Sequence, residues 1–242
     1  MENDTQTTSA AQAPAENAGA GVCFRLFPGR IRGDGKSAEE LKRTLRRLLT
    51  EHESVIATGV EESAGAALVT AFPGGEYDPC ARVFLMPPAA SADSGVFIVT
   101  AGDEDLPAAL EARYALAACG AAGTLVRTAG TSDPLSLAGL SGRLSCAAAC
   151  IAVAGTDSAL PGAVAGLVKA PVIALPANLP RGGFLGGWAV LPGILGSGAP
   201  GLAVVAPGDG AGAGFAAARI VSREQAEQGT KAEENNIQEQ KI

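Results

Sequence analysis

The chain has 242 residues, 47% of them hydrophobic, 18% charged and only 4% aromatic, with a formal net charge of −7. That length holds one ample domain and a smaller one around a substantial core, and an acidic balance with pI near 4.8 argues against nucleic acid as the main partner. Five cysteines without a CxxC spacing point to free thiols in a reducing cytoplasm, and a single histidine, His52, leaves almost no material for a Ser-His-Asp triad, a Cys-His pair or a histidine zinc site.

Residues 1–20 are polar and rich in Ala, Thr and Gln, with no apolar signal core, and read as a disordered tail. Residues 21–90 read as a small α+β domain. Its clearest helix covers residues 37–50: Ser37 and Glu40 form a capping box, and Leu41, Leu45, Leu48 and Leu49 share one face. Lys42, Arg43, Arg46 and Arg47 then point to solvent. Short apolar runs at residues 55–60 and 81–86 read as strands with GAALVTAF between them, and MPPAASADS, residues 86–94, reads as a linker.

From residue 95 to 221 the pattern changes to strand, loop and helix in alternation. VFIVTAG is a strand running into a turn, followed by a helix from near Pro107 to Gly120. GTLVRTAG is a second strand, followed by a short helix capped by Asp133 or Ser132. Three further units follow, their apolar runs starting at Cys150, Pro171 and Gly201, and such runs suit strands buried on both faces of a parallel sheet. The expected fold is therefore α/β: a flavodoxin-like three-layer α/β/α domain with a parallel sheet, preceded by the small α+β domain. The uncharged stretch 182–208 exceeds a membrane span in length, but Pro192, Pro200 and Pro207 break it, and it reads as buried helix plus strand. Residues 222–242 form a polar tail.

In such sheets the loops leaving the carboxyl ends of the strands form the site. In TDSALPG, Asp157 suits a general base or metal ligand, or equally a turn or cap aspartate. Asp103, Glu104 and Asp105 offer further carboxylates with the same two readings. ANLPRGG supplies Asn178 and Arg181. GDGAGAG, at a helix start, suits an anion or close helix packing in equal measure. Cys146 and Cys150 read as buried filler, and the repeated TAG at Thr100 and Thr128 as coincidence.

At these residues the chain resembles the LarB family, the pyridinium-3,5-biscarboxylic acid mononucleotide synthases of nickel-pincer cofactor synthesis, which share a fold with PurE-type aminoimidazole ribonucleotide carboxylases and mutases. RLFPGRIRGDGKSAEEL, EYDPCARVFLM, VTAGDEDLPAALEA, VAGTDSALPGAVAGLVKAPVIALPANLPRGG and FLGGWAVLPGILGSGAPGLAVVAPGDGAGAGFAAARI carry the resemblance, in matching order and spacing. Ala159 stands where the purine enzymes have a catalytic histidine.

The resemblance implies carboxylation of nicotinate adenine dinucleotide at C5 of the pyridinium ring by carbon dioxide or bicarbonate, with phosphoanhydride hydrolysis releasing AMP. It implies Asp157, Asp105 and Glu111 as catalytic residues. It also implies Lys36, Arg82, Thr100, Asn178, Arg181, Ser197, Asp209, Gly210 and Gly212 as substrate-binding ones, with the loop 208–214 holding phosphate. Magnesium is compatible, no organic cofactor is expected, and the family forms homo-oligomers, octamers among them; neither nucleic acid nor membrane is implied as a partner. A family thiol adds to the ring, because an electron-poor pyridinium attacks no electrophile until a nucleophile dearomatises it. This chain has Gly198 at that position, Asp157 in place of the family's acidic motif, and Pro134 and Leu135 in place of a His-Arg pair. Two alternatives therefore stand beside the synthase: a degenerate paralogue that binds a nucleotide without catalysis, and a PurE-like carboxylase or mutase acting on another, electron-rich nucleotide.

Overall fold

The computed structural model describes residues 28–87, 92–177 and 183–222, with the side chains of residues 183–185 excepted. The tails expected at 1–20 and beyond 222, and the site residues Asn178 and Arg181, fall outside the described residues.

Two sheets organise the chain. The first contains β1 (Gly29–Arg32), β2 (Val55–Thr58), β3 (Glu76–Asp78) and β4 (Val83–Met86) in the order β1-β2-β4-β3. β1 and β2 run parallel, with α1 (Ala38–Leu48) as their crossover; β4 is antiparallel to both of its neighbours. The expected capping box is present, Ser37 Oγ accepting from the Glu40 amide while the Glu40 carboxylate accepts from the Ser37 amide. Leu41 and Leu45 are fully buried, and with α2 (Glu62–Ala71) they close one face of the sheet.

The second sheet contains β5 (Ala92–Thr100), β6 (Ala121–Arg127), β7 (Ala149–Ala154), β8 (Val172–Pro176) and β9 (Leu202–Val204), all parallel, in the order β6-β5-β7-β8-β9. This is the flavodoxin-like order, with its switch point between β5 and β7. The helices α3 (Leu106–Ala118) and α8 (residues 210–222) cover one face. The helices α4 (Pro134–Gly139), α5 (Ser141–Leu144) and α6 (Leu160–Leu167) cover the other. Every residue of β7 and β8 is buried, as wholly apolar runs require. Asp133 caps α4, accepting from the Ser136 amide.

The outer face of the first sheet lies on α3 and α8: Ile56, Val83 and Leu85 pack with Ala115, Ala118 and Ala211. Two helices are thus sandwiched between two sheets. Small residues permit the close approach. A Cβ on Gly214 would meet the Ala112 carbonyl and lie 2.7 Å from the Ala115 Cβ, and one on Gly210 would lie 2.8 Å from the Ala108 carbonyl oxygen.

Three expectations need correction. The 86–94 linker is shorter, because Ala92 and Asp93 already pair with Ala121 and Ala122; a bulge at Ser94 and Gly95 (φ +67°) then carries β5 on. The 182–208 stretch does hold a helix and a strand, α7 (Leu191–Leu195) and β9, after a 3₁₀ turn (Gly183–Trp188), but they are short and only partly buried, leaving Trp188 63% and Leu195 65% exposed, since proline and glycine stop each turn before it lengthens. Cys146 is exposed in the turn before β7, whereas Cys150 is buried as expected.

Candidate active site

The carboxyl crest of the parallel sheet carries three of the expected residues. Thr100, the last residue of β5, is 1% exposed, and among the described residues its hydroxyl has no hydrogen-bond partner. Its backbone oxygen accepts from Thr128, so the two TAG segments end neighbouring strands side by side. Asp105, just before α3, is 4% exposed and accepts from the Ala101 amide at 3.1 Å. Burial pushes its carboxyl above the usual range, against the pull of the amides of Ala101, Gly102 and Gly155. By touching the loops that leave β5 and β7, Asp105 bridges the switch point.

Asp157 lies on the same crest, but its carboxylate is held. It accepts from the Thr131 amide at 2.7 Å, from the Thr131 hydroxyl at 2.8 Å and from the Ala159 amide at 3.2 Å. It fixes the loop after β6 to the loop after β7, which is the turn-aspartate reading.

The second group of residues lines a cleft of about 460 Å³ between the two sheets. Its wall from the first sheet is Arg30, Arg32, Asp34, Thr58, Gly59, Cys80 and Arg82; its wall from the second is Pro107, Ala108, Glu111, Pro207 and Gly208. β1 and β2 end here, as does the loop after β9, and the first turn of α3 joins the cleft to Asp105 on the crest. Glu111 is half-buried and accepts from the Ala211 amide at 3.2 Å. Burial pushes its carboxyl up to about 7, opposed by that amide and by Arg30. A carboxyl titrating there both accepts and releases a proton near neutral pH.

Asp209 accepts from the Gly212 amide at 3.0 Å and pairs with Arg30 at 2.6 Å, tying α8 to β1. For residues 208–214 these contacts favour the close-packing reading over the phosphate-holding one. The Ala211 and Gly212 amides at the start of α8 already bind protein carboxylates, and Gly210 and Gly212 are required where a Cβ would strike α3 or Asp209. Arg82 has φ 54°, a left-handed conformation costly for arginine. Its guanidinium pairs with Glu61 and donates to the Gly59 carbonyl at 3.2 Å. Lys36 donates to the Arg32 carbonyl beside this cleft. Ser197 is elsewhere, exposed and packed by Gly162 of α6.

Sequence reading missed three cleft residues. Arg30 and Arg32 alternate with buried Gly29 and Ile31 in β1, a two-residue period that places both cations on one face. Cys80 lies in a turn, its amide bonded to Asp78, and nothing in the sequence marked it for the cleft. Burial and Asp78 raise its thiol above the ordinary value. Cys119 and Cys150 are raised to about 11 by burial and line no part of the cleft. Among the described residues no group of three or more His, Cys, Asp or Glu is arranged to hold a metal ion.

An acid–base carboxyl in an arginine-walled cleft at the carboxyl end of a flavodoxin-like sheet suits proton transfer on an anionic substrate. A family model for AIR carboxylase matches residues 95–241. The chain belongs to the AIR carboxylase family. The match begins at Gly95, inside β5, and takes in the rest of the parallel sheet, so the first sheet, with Arg30, Arg32, Cys80 and Arg82, lies outside it. No curated protein matches the sequence significantly. Among the described residues no helix of this AIR carboxylase relative is long and apolar enough to cross a membrane.

Proposed function

We propose that the protein carboxylates nicotinate adenine dinucleotide at C5 of its pyridinium ring and hydrolyses the phosphoanhydride, releasing AMP, as LarB synthases do. The observation that carries this reading is Glu111, a carboxyl titrating near 7 inside an arginine-walled cleft. Carboxylation replaces a ring C–H by C–COO⁻, and the released proton needs an acceptor: Glu111 takes it. Arg30 and Arg82 on the opposite wall attract the anionic substrate, and Asp105 holds the switch-point loops in register. The ring must first gain an electron pair. With Gly198 at the family's thiol position, Cys80 is the thiol on the cleft wall: its sulfur adds to the ring, C5 then bonds to carbon dioxide, the C5 proton passes to Glu111, and the C–S bond breaks to restore the aromatic ring. The cationic ring itself favours the thiolate, offsetting the upward push of burial and Asp78.

A second reading is favoured by Gly198 and by the raised Cys80 thiol: a carboxylase or mutase acting on an electron-rich nucleotide that needs no thiol. Both readings place the protein in a homo-oligomer, octameric in the first, with exposed Leu135, Trp188 and Leu195 covered by neighbouring copies. The test is incubation with nicotinate adenine dinucleotide, bicarbonate and magnesium, products read by mass spectrometry, for the native protein and for Cys80→Ser and Gly198→Cys. Native activity lost in Cys80→Ser supports the first reading. Activity unaffected by Cys80→Ser removes the thiol from it. Activity in Gly198→Cys alone marks a lapsed enzyme, and carboxylation of an electron-rich nucleotide alone supports the second reading.

A further inference from the structure

Charge around the cleft is unevenly matched. Arg30 is paired with Asp209, and Arg82 with Glu61 and, at 4.0 Å, with Asp34. Arg32 is exposed, lines the same cleft, and among the described residues its guanidinium has no hydrogen-bond or ion-pair partner. The start of α8 offers no alternative anion seat, because the Ala211 and Gly212 amides are occupied by Glu111 and Asp209. In a protein of net charge −7, this leaves one guanidinium facing a cavity without a partner among the described residues.

We infer that Arg32, with Arg82 beside it, forms the seat of a phosphoryl group, so that the first sheet and not the glycine loop of the parallel sheet recognises the phosphate of the substrate. A guanidinium offers five N–H donors in a planar fork, which matches phosphate oxygens in pairs. A carboxylate satisfies one such fork; a phosphoryl dianion, with three terminal oxygens, serves Arg32 and Arg82 together. Arg82 is already aimed: its positive φ, its bond to the Gly59 carbonyl and its pairing with Glu61 fix the guanidinium before any ligand arrives. Arg32 and Arg30 leave the same face of β1 two residues apart, and Arg30 is anchored over α8 by Asp209, which places Arg32 at the open end of the row.

This inference rests on the cleft being the substrate site, and a binding measurement separates the two. AMP, adenosine and inorganic pyrophosphate are titrated calorimetrically into the full-length protein and into Arg32→Gln, with Arg143→Gln, on exposed α5, as control. The expected result is AMP bound more tightly than adenosine, a loss of roughly 10- to 100-fold in AMP and pyrophosphate affinity in Arg32→Gln, and no change for adenosine or in the control. Equal AMP affinity in the native protein and Arg32→Gln overturns the seat, even if carboxylation of the dinucleotide is found. Arg32-dependent AMP binding without carboxylation of any nucleotide supports the seat and removes the catalytic reading.

Discussion

The two sheets meet at one cleft but equip it differently. On the parallel sheet nearly every polar group at the carboxyl end is satisfied from within: Asp157 by Thr131 and Ala159, Asp105 by Ala101, Asp209 by Gly212 and Arg30. Even Glu111 is bonded to Ala211, though burial leaves it poised to titrate. The small sheet holds a guanidinium with no partner among the described residues, another in a strained backbone conformation, and an exposed thiol. On the function proposed above, the contrast teaches that a catalytic fold need not carry its own substrate-recognition charge: the parallel sheet would supply a rigid frame and a proton acceptor, and the accessory sheet the cations.

Four substitutions break or sharpen that contrast. Glu111→Gln removes the proton acceptor and lowers the carboxylation rate by about 100-fold or more; a rate within tenfold of native places the base elsewhere. The same residue governs stability against pH. Its folded value is raised from 4.5 to about 7, so between those limits the folded chain holds a proton that the unfolded chain has released. Stability is therefore full below pH 4.5 and falls as pH rises through 7, by at most about 3 kcal/mol, and Glu111→Gln loses this slope in urea titrations at pH 5 and 8.

Gly214→Ala drives a methyl into α3 and costs about 1–3 kcal/mol, read as a lowered Tm, because the sandwiched helices have no free side on which to relax. Asp157→Asn weakens the bonds to Thr131 and costs about 1–2 kcal/mol, with activity falling only as far as the folded fraction does. Loss of activity in fully folded Asp157→Asn returns the catalytic role to the crest. The smallest effect is at the exposed Arg47–Glu51 pair, where Glu51→Ala changes stability by less than about 0.5 kcal/mol.

The parallel sheet was legible in the sequence because its elements are local statements: ACIAVA and VIALP have no polar face to expose, and Gly120 and Asp133 mark helix ends by their own chemistry. The site was legible only in part. Asp157 looked free because its partner, Thr131, is 26 residues away across two strands. Glu111 was singled out by resemblance, yet its raised carboxyl depends on α8 closing over α3, a contact 100 residues distant in the chain. The glycines of GDGAGAG had two equal readings, and only packing separates them: Gly210 and Gly214 admit α3, and Gly212 admits the Asp209 carboxylate. Arg30 and Arg32 were signalled by alternation in β1, but four residues are too few for that period to stand out from sequence alone.

The measurement that tests the central claim most directly is the pH profile of the carboxylation rate, native against Glu111→Gln. The account predicts a native rate that climbs as pH rises through about 7, where Glu111 loses its proton, and a variant rate that is low and without that limb. A variant that keeps the same limb at native rate contradicts it, because the proton acceptor would then lie outside the cleft.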